Sequence, residues 1–219
     1  TLTSAINTDD QPVCENTAIT DIVYTAGGGI SGATVSGLPA GVTGNYAAGV
    51  FTISGTPTAT GIFNYMITTV GCVPSNININ GRITVIAAPN SGTDVTIYVC
   101  DNTSSAIHLK DELVGEDPGG TWAQVSGLGG TFNPMSAIFT PSVGGTTASF
   151  SYTVTGTPPC PDAVSFVTVE VYPEPDAGTD GGTLICDSDT TVIDLFSLIT
   201  GEQSGGAWTQ TSGSGGTFN

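Results

Sequence analysis

The chain has 219 residues, of which 31 are Gly, 35 Thr and 19 Ser, and it carries two Lys or Arg against 19 Asp or Glu, for a formal charge of −17. Duplex nucleic acid is held by a basic face that releases counterions, and anionic membrane surfaces attract polybasic segments, so two cations, Arg82 and Lys110, exclude both as partners. No run of about 18 apolar residues is present to insert in a bilayer as a helix, and Thr1–Ala5 lacks the basic and apolar regions of a signal peptide, so an export signal is expected outside this segment. The 38% of apolar residues and mean hydropathy of +0.20 still supply enough burial for folded domains.

An internal repeat organises the rest. Residues 90–133 and 176–219 align without a gap at a spacing of 86, with 20 identities in 44 positions. Thr1–Thr3 read as the tail of a preceding unit, 4–89 as the first full unit, 90–175 as the second, and 176–219 as the truncated start of a third. In the first unit Cys14 comes early, Gly27–Gly29 marks a hairpin turn or bulge, and Phe63-Asn-Tyr65-Met-Ile67 runs toward Cys72. Arg82–Ile86 reads as its last strand, and a short linker, Ala87–Ser91, follows.

The second unit repeats the order. Cys100 comes early, and Ser104–Leu113 offers a short helix or an extended segment. Trp122 precedes a second turn or bulge at Gly129-Gly130, Phe150-Ser-Tyr152-Thr-Val154 leads to Cys160, and Phe166–Tyr172 closes the unit before the joint Pro173–Ala177. In the third unit, Cys186, a helix-like Thr190–Ile199 and Trp208 fall 86 residues after their counterparts. Apolar and polar residues alternate with period two at Phe150, Tyr152 and Val154. Thr and Val are enriched, and turn dipeptides recur every 8–12 residues. About seven strands per 86 residues without helical cover is an all-β, immunoglobulin-type sandwich, repeated in tandem. Phe63, Tyr65, Phe150, Tyr152, Trp122 and Trp208 are expected in the cores.

The repeat also suggests a cysteine pairing. Cys14 and Cys72 are 58 apart, Cys100 and Cys160 are 60 apart, and the partner of Cys186 would fall beyond the chain end. One bond within each unit is therefore expected, each closing a loop worth roughly 4 kcal/mol on the chain-entropy model. An oxidising, extracellular setting follows. A zinc site does not, because there is no CxxC and only one His.

Little points to catalysis. His108 is the single histidine, and Asp194 stands at its repeat position, so a triad on it would exist in one unit only. Asp9-Asp10, Glu116-Asp117 and Asp187 with Asp189 read as solvated turns. The Gly-rich stretches lack the Lys and the strand-to-helix context of a phosphate loop. Asp94, Asp101, Asp176, Asp180 and Asp187 fall near the joints, where calcium could stiffen them. Solvating charge is the alternative, and no other cofactor is indicated. Trp122 is either a packed core residue or a sugar-stacking platform. Asn102-Thr-Ser104 fits an N-glycan acceptor and Asp189-Thr-Thr191 a bacterial O-glycan acceptor.

Leu38-Pro-Ala-Gly-Val42, Gly49–Pro57 and Gly61–Tyr65 together resemble the Ig-like and PKD-like repeats of bacterial surface proteins. The Val13–Thr17 opening and the Gly-Gly-Thr-Phe-Asn blocks are similar to repeats in very large secreted proteins of Bacteroidota, among them SprB-like gliding adhesins. That resemblance implies a non-catalytic stalk at the cell surface, exported by the type IX system. Its partners would be neighbouring units and a surface glycan or an outer-membrane or secretion component. Accessory spacers of a secreted hydrolase, or units that themselves bind a glycan or protein, are the competing expectations.

Overall fold

The computed structural model describes residues 1–219 except 28, 72–75, 101–104, 187, 214–215 and 219. Among the described residues, the first unit holds seven strands: β1 (Asp10–Cys14), β2 (Ile22–Thr25), β3 (Gly32–Ser36), β4 (Val42–Ala47), β5 (Val50–Gly55), β6 (Gly61–Val70) and β7 (Asn78–Ile86). The second holds seven more: β8 (Val95–Cys100), β9 (Ile107–His108), β10 (Thr121–Ser126), β11 (Gly130–Asn133), β12 (Ile138–Pro141), β13 (Ala148–Val154) and β14 (Ala163–Tyr172).

The two units share one topology. A four-stranded sheet, β1-β7-β6-β3, accompanies a three-stranded sheet, β2-β5-β4, and the second unit repeats this as β8-β14-β13-β10 with β9-β12-β11. In each, the first strand pairs parallel with the last and every other pairing is antiparallel. Two sheets, with the first strand crossing to lie beside the last, form an immunoglobulin-type sandwich. Period-two burial builds the core: along β13 every second residue from Ala148 to Val154 is buried, because strand side chains point alternately to the two faces. Tyr65, Ile67 and Ile83 anchor the first core, and Phe139, Phe150 and Val167 the second. Pro12 is tolerated in β1 because β1 is an edge strand, where a missing N–H costs no ladder bond to a further neighbour.

Three expectations change. Thr1–Thr3 belong to the first sandwich: Leu2 bridges Tyr24, Thr1 and Thr25 exchange backbone hydrogen bonds, and Thr3 N–H donates to the Val23 carbonyl. The glycines at 27–29 and 129–130 are not hairpin turns. Gly27, Gly29 and Gly129 stand where the chain crosses from one sheet to the other, between β2 and β3 and between β10 and β11, Gly130 opens β11, and Gly28 lies outside the described residues. A Cβ on Gly130 would lie 2.1 Å from the Thr140 carbonyl oxygen, so the close approach of β11 to β12 requires glycine. The two helix-like stretches are one turn of 3₁₀ helix each, Leu109–Asp111 and Leu195–Leu198, again 86 apart.

Residues 176–219 carry that 3₁₀ turn and one isolated bridge, Thr179 to Thr200, and no strand among the described residues. Trp208 is consequently not in a core. It is 40% exposed and meets Phe196 edge-on at 5.5 Å. Its counterpart Trp122 is partly buried against Tyr152 of β13, with ring centroids 5.1 Å apart. The residue that would cover Trp208 in the same way falls 86 after Tyr152, outside the 219 positions.

Candidate functional site: the joint between units

The structure pairs Cys14 of the first unit with Cys160 of the second, with a Cα–Cα distance of 4.9 Å and 146 residues between them in sequence. This replaces both intra-unit bonds expected from the repeat. The reason is the parallel pairing of first and last strands. Cys100 ends β8 opposite Tyr172, the last residue of β14, whereas Cys160 precedes Ala163, the first. Nine residue steps of strand, about 30 Å, separate those two levels of the sheet, far beyond the roughly 7 Å that a disulfide spans between Cα atoms. The first unit has the same arrangement. Cys14 stands opposite Ile86 at one end of β7, and β6 finishes beside Asn78 at the other end. Cys72 itself lies outside the described residues.

Cys160 sits in the turn between β13 and β14, where its N–H donates to the Thr157 carbonyl at 2.9 Å. Its Sγ rests 3.6 Å from the Ile86 carbonyl oxygen and 3.4 Å from that of Ala87, so the turn of the second unit abuts the end of β7 and the linker. Cys14 and Cys160 are 4% and 6% exposed. A reductant in solution therefore reaches this bond only after the joint opens. Cys100 and Cys186 are unpaired thiols and exposed.

Past the bond, a clasp holds the linker to its unit. The Asn90 amide group donates to the Gly115 carbonyl at 2.7 Å, and its Oδ1 accepts from Gly92 N–H at 3.0 Å. Asp117 accepts from Asn90 N–H at 2.8 Å through its carboxylate and donates its own N–H back to the Asn90 carbonyl at 2.8 Å. The Tyr152 hydroxyl then donates to the Asp117 carbonyl at 2.7 Å, which ties the clasp to the core strand β13. The same device recurs 86 residues on. Asp176 Oδ1 accepts from Gly178 N–H at 2.9 Å, and Gln203 N–H donates to the Asp176 carbonyl at 2.9 Å. Glu116-Asp117 is thus not simply a solvated pair. Neither is Asp9-Asp10, since Asp10 receives two hydrogen bonds from Arg82, at 2.8 and 2.9 Å.

Of the five acids considered for calcium, Asp101 and Asp187 lie outside the described residues. The carboxylate of Asp94 accepts from Phe166 N–H and that of Asp176 caps a turn. Among the described residues no three His, Cys, Asp or Glu side chains gather as metal ligands. His108 pairs with Ile138 at the end of β9 and is exposed. The Asn102–Ser104 sequon lies outside the described residues, and Thr191 of the second glycan pattern donates its N–H and its hydroxyl to Asp189. Those bonds hold the Asp189 carboxyl below its ordinary range. No described helix is long and apolar enough to cross a membrane.

No family model matches the chain, and no curated protein matches it. Among solved structures, the titin I-band fragment I67–I69 aligns with a TM-score of 0.38 at 9% identity, covering 78% of this chain and 66% of that one. An endo-fucoidan hydrolase of glycoside hydrolase family 107 aligns at 0.30 and 18% identity, over 74% of this chain and 32% of that one. The insect immune protein hemolin aligns at 0.43 and 16% identity, over 74% and 45%. The chain thus spans less than two thirds of each of these proteins, and at such scores the fold assignment rests on the strand order itself.

Proposed function

We propose that this chain is a tension-resisting spacer from a long, repetitive extracellular stalk, a non-catalytic segment of a cell-surface adhesin of the SprB-like, type IX-secreted kind that its repeats resemble. The observation that carries the reading is the buried covalent bond between consecutive sandwiches. A disulfide persists in an oxidising compartment. A short proline-containing linker backed by such a bond limits the angle between neighbours, which a stalk needs and a loose tether lacks. The charge of −17 keeps neighbouring stalks apart in solution.

Intact mass and full sequencing of the native molecule test the reading. Several hundred kilodaltons, built from many copies of the 86-residue period, is the expected result. A few units joined to one distinct catalytic or lectin domain would overturn it in favour of a spacer in a secreted enzyme or lectin.

A further inference from the structure

We propose that Cys100 is the next rung of a staggered disulfide ladder, bonded to a cysteine in the β-hairpin turn of the unit that follows. Three observations support that position. Cys100 follows Cys14 by 86 residues, and its strand partner Tyr172 follows Ile86 by 86, so the two cysteines occupy equivalent levels of equivalent parallel pairings. The joint after Tyr172 repeats the joint after Ile86, with Asp176 and Gln203 standing where Asn90 and Asp117 stand. Cys100 is exposed and unpaired, whereas its repeat equivalent Cys14 is buried by the unit docked against it.

A third sandwich docked as the second is docked brings its own equivalent of Cys160, at position 246 by the 86-residue period, onto Cys100. Cys186 repeats Cys100 once more and plays the same role at the following joint.

The chemistry is thiol–disulfide exchange with a disulfide donor, such as oxidised glutathione or the disulfide form of a thiol oxidoreductase. The Cys100 thiolate attacks a donor sulfur and displaces one donor thiol. The partner cysteine then attacks the mixed disulfide and displaces the second. One disulfide forms, one is consumed, and the protons of the two cysteines end on the donor thiols.

The consequence is mechanical. The Cys14–Cys160 bond takes residues 15–159 out of the load path, because tension entering at Cys14 leaves at Cys160. With a ladder, tension then runs through the 26 residues from Cys160 to Cys186 and crosses the next bond. Fully stretched, those residues span about 90 Å for every two units, where an unbridged pair of units could release on the order of 600 Å.

The ladder rests on the tandem repeat continuing past residue 219. It does not depend on the stalk or adhesin role, which the intact mass decides separately. The test is a disulfide map of the full-length protein: free thiols blocked with iodoacetamide without reduction, then cleavage before Asp, which releases Cys100 at the end of the peptide Asp94–Cys100. Recovery of that peptide linked to a cysteine peptide from C-terminal of residue 219 is the expected result. Recovery of it alkylated, or linked to Cys72 or Cys160, overturns the ladder. In the full-length Cys100→Ser variant, the cysteine of the following hairpin should become alkylated while the Cys14–Cys160 peptide stays linked. If that hairpin cysteine remains bonded elsewhere, the ladder fails.

Discussion

A buried phenol has to find a hydrogen-bond partner, and each sandwich meets that demand with a tyrosine on its second-last strand. The Tyr65 hydroxyl donates to the Asp9 carbonyl at 3.4 Å and lies 3.3 Å from the Tyr24 hydroxyl. The Tyr152 hydroxyl donates to Asp117 and accepts from Gly120 N–H at 2.9 Å. A glycine faces each ring, and a Cβ on Gly81 would lie 2.2 Å from Tyr65 Cζ. The Gly81→Ala variant is therefore expected to lose about 3 kcal/mol of first-unit stability, since overpacking a filled core forces backbone or ring displacement. Its urea midpoint, taken in the Cys160→Ser background where the two units unfold separately, checks this against an unchanged second unit.

Burial raises the pKa of Tyr24 and Tyr65 above the ordinary 10.0, with the largest contribution in both from desolvation. Their contribution to stability is full below pH 10, where folded and unfolded phenols are both neutral. It is lost as pH climbs further, because the unfolded chain ionises first. Alkaline unfolding of the first unit should accordingly move to higher pH in the Tyr65→Phe variant, followed by phenolate absorbance. An unchanged midpoint would refute the assignment. The Phe-x-Tyr alternation made Tyr65 and Tyr152 legible as core residues. Their hydroxyl partners were not legible, because Asp9 and Asp117 contribute backbone carbonyls, which no side-chain pattern reports.

At the scale of strands, pairing direction governs the cysteines. Near-equal spacings of 58 and 60 residues suggested one bond inside each unit. Parallel pairing of first and last strands instead places the early cysteine of each unit at the joint, and in the second unit leaves Cys160 at the opposite end of the same sheet. Both readings conform to the repeat, and sequence spacing carries no record of pairing direction.

The clasp at the joint is also an element-scale device. Asn90→Ala removes the bonds to Gly115 and Gly92 and should cost about 1–2 kcal/mol, the usual range for a lost pair of hydrogen bonds. The shared melting transition of the linked pair should fall, and the Cys14–Cys160 bond should still form. Chelator should leave both melting and joint geometry unchanged, since Asp94 and Asp176 already commit their carboxylates to backbone N–H groups. A fall in melting temperature on chelation would restore the calcium reading.

At the scale of the molecule, the bond between units makes neighbours share their fate. A 146-residue loop closed by one disulfide removes about 5 kcal/mol of unfolded-state entropy on the chain-entropy model, spread over two sandwiches rather than one. The Cys160→Ser variant should separate one coupled melting transition into two and widen the distribution of inter-unit angles seen by small-angle scattering. Melting that stays single, with an unchanged scattering profile, would mean that the clasp rather than the disulfide holds the joint.

The amino-acid sequence by itself determined the repeat, the strand periodicity, the sandwich class and the core positions Tyr65, Phe150 and Tyr152. All of these follow from local chemistry: alternation of apolar residues, turn glycines and prolines, and identities at a fixed spacing. Tertiary structure alone decided which cysteines meet and that Thr1–Thr3 complete the first sandwich. Each of those depends on which strand lies beside which, and in what direction. That is settled by the burial of whole faces at once, a property of the assembled sheets that no single segment carries.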